Sequence, residues 1–134
     1  MNRFSVELYS INDMRSCIKD VLVFVNGIAD ICPEKQYDVR LVLNELLANC
    51  FLHGNCADLL PVKVNVKIEK CHTEIYVSHL CKDFEARIAK MNNSIDLYDY
   101  LALEDNGRGL KIVSSICETI EIQQKGIYVS ILNN

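Results

Sequence analysis

Three polar residues whose types could share one reaction recur at intervals of four, Glu45, Asn49 and His53, and Gly54 comes directly after them. On an α-helix, at about 100° per residue, they fall in a stripe only about 80° wide. Val39, Leu43, Leu46, Leu47 and Cys50 fill the neighbouring arc and need an apolar surface to pack on. The polar stripe therefore belongs at the edge of a core. There an amide oxygen can bind a hard cation, and a carboxylate can take a proton from a water or a hydroxyl. The same spacing also suits a solvated Glu45–Asn49 pair, with His53 as a polar residue in the last turn.

A second constellation lies near the C-terminus, in Asp105-Asn106-Gly107-Arg108-Gly109-Leu110-Lys111-Ile112-Val113. Two glycines stand just before a segment whose apolar residues, Leu110, Val113, Ile116 and Cys117, have helical spacing. Free backbone N–H groups at such a helix start, with the positive end of its dipole, can receive phosphate oxygens, and glycine lets the backbone approach closely. Arg108 could add a charge-assisted contact. Alone, Gly107-Arg108-Gly109 also fits a plain loop-to-helix junction.

The elements that must position these residues can be read from hydrophobic period. Phe4, Val6 and Leu8 alternate with polar neighbours, which predicts a short strand. Ser10, with Asp13 three residues on, resembles a capping box; Met14, Cys17, Ile18, Val21, Leu22, Val25 and Ile28 then predict a helix of about 16 to 18 residues with a single apolar stripe. Gly27 loosens its end. Pro33 and Glu34 suit the first turn of a second helix, predicted from about Pro33 to His53 and ending at Gly54-Asn55. Val62, Val64, Val66 and Ile68 alternate, as do Thr73, Ile75 and Val77 after a turn at Lys70-Cys71-His72, which predicts a hairpin. Ile120 and Ile122, then Ile127, Val129 and Ile131 after Lys125-Gly126, predict another. Between the hairpins, the segment from Phe84 to Asp105 is weakly patterned. About five strands with polar alternate positions, plus helices, make an α+β two-layer sandwich with one sheet face covered.

Length and charge bound the function. The 134 residues favour one domain spanning 1–134. Half the residues are hydrophobic and 24% are charged, which is far from the signature of disorder. A net charge of −4 with no run of like charges argues against direct nucleic-acid binding or an anionic membrane as partner. The longest stretch without Asp, Glu, Lys or Arg, Leu46 to Ala57, is too short for a membrane span, and Glu7 interrupts any apolar leader, so the expected location is the cytoplasm. Seven cysteines, at 17, 32, 50, 56, 71, 81 and 117, form no Cys-x-x-Cys pair and are read as reduced, mostly buried thiols.

Taken together, Glu45, Asn49 and His53-Gly54 on one helix and Gly107-Arg108-Gly109-Leu110 ahead of another resemble the histidine-kinase-like ATPase (Bergerat) fold. Within it, the chain is similar to the small anti-sigma-factor and serine-protein-kinase group, over nearly its whole length. The resemblance implies a mixed, mostly antiparallel sheet with helices on one face. It implies Mg²⁺ and ATP as cofactors, with Asn49 holding the metal, Glu45 as general base, and Gly107, Arg108, Gly109 and Leu110 at the end of the ATP lid of residues 84–105, where the glycines cradle phosphates. His53 and Gly54 complete the first motif. The implied partners are a sigma factor and an anti-anti-sigma protein, with a homodimer as the implied assembly. The family's adenine motif, Asp-x-Gly-x-Gly-Phe, is here His79-Leu80-Cys81-Lys82-Asp83-Phe84, so His79 stands for the Asp, Cys81 and Asp83 for the glycines, and only Phe84 is kept. A neutral His79 can still accept a hydrogen bond, although Cys81 adds a side chain where backbone was expected to approach. The resemblance implies either an ATP-dependent serine/threonine protein kinase that regulates transcription or a non-catalytic relative that uses the same scaffold to bind a protein with weak or no ATP binding; a fold-only likeness that binds another small ligand is a third, weaker option.

Overall fold

The computed structural model describes residues 2–28, 31–48, 50–51, 61–78, 107–123 and 126–133. The first strand, β1, runs Asn2–Leu8. Ser10, two residues past its end, caps the next element. The N–H groups of Tyr9 and Ser10 donate to Asp13 Oδ2 at 2.8 and 3.2 Å, and Ser10 Oγ accepts from the Asn12 N–H at 3.2 Å. The predicted capping box is present, but it opens a 3₁₀ turn, Ile11–Asp13, that runs directly into helix α1, Met14–Ile28. The three residues of the turn and the fifteen of α1 fill the predicted length of about 16 to 18 residues.

The single apolar stripe predicted for α1 divides in two. Cys17, Val21 and Val25 are buried, whereas Met14, Ile18 and Leu22 are only partly covered and Ile28 is exposed. A stripe about 140° wide cannot face one sheet along its whole breadth, and Ile28 is the last residue of the helix. Helix α2 begins at Pro33 as predicted and is described to Ala48, with residues 50–51 in the wider turn of a π-helix. Its start is secured by Gln36, whose backbone N–H donates to Cys32 O at 3.1 Å and whose Nε2 donates to Ile31 O at 3.2 Å. The predicted end at His53-Gly54 lies outside the described residues.

Strands β2 (Val62–Ile68) and β3 (His72–Ser78) form the first predicted hairpin; helix α3 (Gly107–Ile116) precedes β4 (Thr119–Gln123) and β5 (Gly126–Leu132), which form the second. The five-stranded sheet has the order β1-β2-β3-β5-β4, and all four pairings are antiparallel, so the sheet is not mixed among the described strands. Side chains alternate as the sequence requires. Val62, Val64 and Val66 of β2, Ile75 and Val77 of β3, and Val129 and Ile131 of β5 are buried on one face. Against them pack Val21 and Val25 of α1 and Val39, Val42, Leu43, Leu46 and Leu47 of α2. Each such side chain contributes roughly 1.5–3 kcal/mol on burial. Helix α2 lies between the other two, touching α1 on one flank and α3 on the other.

One close approach fixes the sheet beside β3. A Cβ at Gly126 would meet the Val77 carbonyl oxygen and lie 2.9 Å from Ser78 Cα, so β5 can pair with Ser78 only through a residue without a side chain. The C-terminus is tied to the β2–β3 turn by Asn133, whose Oδ1 accepts from Thr73 Oγ1 at 2.6 Å and whose N–H donates to Cys71 O at 2.8 Å. The cysteines are less uniformly buried than predicted. Cys17 and Cys50 are buried and Cys117 is partly so, but Cys32 and Cys71 are exposed, because one precedes a helix start and the other sits in a hairpin turn. Cys17, Cys32, Cys71 and Cys117 are free thiols; Cys56 and Cys81 lie outside the described residues.

Candidate functional site

Of the first predicted constellation only Glu45 is described, and it lies on the flank of α2 that faces α3. Glu45 is half-buried, next to the fully covered Leu46 and Leu47 that hold α2 on the core. Asp38 lies seven residues earlier, two helical turns, and so on nearly the same stripe as Glu45. Asp38 is close enough to Cys117, one residue beyond α3, for its charge to act on the thiol: burial first, then the Asp38 carboxylate, push the Cys117 thiol up to about 12. Glu45 therefore shares with Asp38 the stripe of α2 directed toward α3. Val113 of α3 is fully buried, and the Cys117 N–H donates to Val113 O at 2.9 Å, extending the last turn of α3 toward β4.

Residues 107–110 occupy a different place from the one expected. Gly107, Arg108, Gly109 and Leu110 form the first turn of α3 rather than a loop before it. Leu110 was expected to start the helical spacing, and glycine is tolerated in a first turn because few intrahelical hydrogen bonds are yet at stake there. The backbone N–H groups of a first turn are also the ones with no intrahelical partner, so the capacity to receive an anion is kept.

The remaining site residues, Asn49, His53, Gly54, His79, Cys81 and Phe84, lie outside the described residues, as does the predicted lid, 84–105. The last described residues before two of these groups are nevertheless placed. Ala48 is the last residue of α2, and Ser78 ends β3, paired with Lys63 and Gly126 at the sheet centre. Among the described residues no group of three or more histidines, cysteines and carboxylates is arranged to hold a metal ion. Also among them, no helix is long and apolar enough to cross a membrane.

A concavity among the described residues lies elsewhere. A groove of about 1210 Å³ runs between α1 and α2 on the flank of α2 opposite Glu45. Its walls include Arg15, Lys19, Leu22 and Val23 from α1 and Tyr37, Arg40 and Asn44 from α2. Sequence reasoning reads both helices as sheet-packing stripes and gives these residues no role. The available signal is an excess of apolar residues at Ile18, Leu22 and Val23, beyond what one face can bury. Compared with known proteins, the chain matches no family model and no curated protein.

Proposed function

We propose that this chain is a Mg²⁺-ATP-binding regulatory protein of the histidine-kinase-like (Bergerat) ATPase type, with serine/threonine kinase activity toward a protein partner. The observation that carries this reading is the half-buried carboxylate of Glu45 on the α3-facing stripe of α2, on a chain where Gly107 and Gly109 open α3. The ten residues of α3 rise about 15 Å, so a helix whose far end lies at Asp38 is long enough to bring its first turn alongside Glu45, about 10 Å along α2. In this reading the first-turn N–H groups at Gly107 and Gly109 receive phosphate oxygens, and Arg108 steadies charge that develops there. Asn49 holds Mg²⁺. Glu45 orients the partner's Ser or Thr hydroxyl and takes its proton as the oxygen becomes the new phosphate ester. Mg²⁺-ATP supplies the transferable phosphoryl group and leaves as the diphosphate.

The partners in this reading are a sigma factor and its antagonist, and the assembly is a homodimer in the cytoplasm. His79 and Cys81 favour a second reading, a non-catalytic module, because an unpaired adenine amino group in a buried pocket costs about 1 to 3 kcal/mol, roughly one to two decades of affinity. Thermal unfolding separates the two. At about 100 times its dissociation constant, Mg²⁺-ATP should stabilise the fold by about 2.7 kcal/mol, several degrees in a domain of this size. Asn49→Ala should abolish the shift, whereas Glu45→Ala should keep it and lose phosphotransfer. No shift at millimolar Mg²⁺-ATP would sink the nucleotide reading in favour of the module.

A further inference from the structure

We infer that the groove between α1 and α2 is a docking site for an acidic amphipathic helix of a partner protein. At about 1210 Å³ it exceeds the usual size of a small-ligand pocket, roughly 300–1,000 Å³. It runs along α1 from Arg15 to Asn26, about 16 Å or three helical turns, which matches a helix rather than a compact metabolite. The floor is apolar and open to solvent. Ile18 and Leu22 are only partly covered, Val23 is 65% exposed and Tyr37 is 63% exposed, two of the most exposed large apolar side chains among the described residues. Exposed apolar side chains along one groove give the apolar face of an amphipathic helix a surface to bury.

Charge selects the occupant. Arg15, Lys19 and Arg40 all line the groove, and no carboxylate does, although the chain as a whole carries a net charge of −4. The acids of the two helices, Asp20, Glu34, Asp38 and Glu45, are absent from its walls. Among the described residues, none of the three cations is held in an ion pair within the chain. A helix with an apolar stripe flanked by Asp or Glu would cover the exposed Val23 and Tyr37 and give each cation a partner; a basic helix would leave three like charges facing it. The surface lies on the flank of α2 away from Glu45, so the inference is independent of nucleotide binding.

The probe is a fluorescein-labelled helical peptide with Leu at positions i, i+3, i+4 and i+7 and Glu at the flanking positions, read by fluorescence anisotropy against the same peptide with Lys in place of Glu. The acidic peptide should bind saturably, and the basic one at least about tenfold more weakly. Arg15→Glu with Arg40→Glu should reverse the preference; if the double variant does not fold, judged by circular dichroism, Lys19→Glu alone should weaken the acidic peptide severalfold. Equal binding of both peptides, no binding of either, or an acidic-peptide affinity unchanged by charge reversal would overturn the inference. So would sedimentation equilibrium showing a dimer that the Arg15→Glu/Arg40→Glu change dissociates, since the groove would then belong to a second copy of the chain.

Discussion

The two flanks of α2 are built to opposite specifications from one continuous helix. Toward α1 it presents Tyr37, Arg40 and Asn44 to an open groove with three cations and no acid. Toward α3 it presents Asp38 and Glu45, against a partly buried thiol whose proton is held tightly. Between them, Val39, Val42, Leu43, Leu46 and Leu47 fix the helix on the sheet. At about 100° per residue, a step of two positions, from Asp38 to Arg40, is enough to change flank. A helix in the middle of a layer can therefore separate two surfaces of opposite sign with no loop or domain boundary between them. Packing on the sheet constrains only about half of the helix circumference, and the two remaining arcs are independent.

Chemistry at the thiols gives the largest contrast. Burial, reinforced by nearby carboxylates, pushes Cys17 and Cys117 up to about 12 from an ordinary 9.0, so at pH 8 each holds about a thousandfold less thiolate than an unperturbed thiol. Alkylation should mark the exposed Cys32 and Cys71 quickly and leave Cys17 and Cys117 unmodified until the protein unfolds. Rapid labelling of Cys117 would mean that the α3 flank is open. The raised values set the sign of the linkage: the folded chain keeps protons that the unfolded chain releases above about pH 9. Stability is therefore complete below that pH and declines as pH rises toward about 12. Melting temperature between pH 8 and 11.5 checks this, and Cys117→Ala should make the decline shallower.

The next contrast uses one change at two depths. Leu43→Ala, at a side chain with 0% exposure, should cost about 3 kcal/mol in chemical denaturation, with both flanks lost in one transition. Leu22→Ala, in the groove wall, should cost less, about 1–2 kcal/mol, because that side chain is only partly buried. Equal costs would show that the groove wall is ordinary core. Ser10→Ala, which removes the cap ahead of α1, should cost about 1 kcal/mol.

The acidic flank is legible in the sequence and the cationic flank is not, for a physical reason. Glu45 stands among helically spaced apolar residues, Leu43, Leu46 and Leu47, so spacing alone places it on a half-buried stripe. The strands are equally legible, since Val62, Val64 and Val66 declare their buried face by local alternation. The groove exists only when Arg15 and Arg40, 25 positions apart, are brought together by packing α1 on α2; separately they read as solvated surface. The two-stripe character of α1 is hidden for the same reason, because the neighbour that leaves Ile18 and Leu22 half-covered is a tertiary one. Residues 107–110 differ from expectation by part of a turn because glycine marks both a loop and the start of a helix.

The smallest stability effects test the separation of the flanks most directly. Arg40 is exposed and Glu45 half-buried, neither is in an ion pair among the described residues, and Arg40→Glu and Glu45→Gln should each change folding free energy by less than about 0.5 kcal/mol. Their effects on binding should cross. Arg40→Glu should weaken the acidic peptide and leave the Mg²⁺-ATP thermal shift unchanged, while Glu45→Gln should leave the peptide unchanged and remove phosphotransfer. The double variant should show the sum of the two, since the side chains diverge from opposite sides of the helix and share no partner. If Arg40→Glu also altered the thermal shift, or Glu45→Gln the peptide affinity, by more than about 0.5 kcal/mol, the two surfaces would be coupled through α2 rather than separated by it.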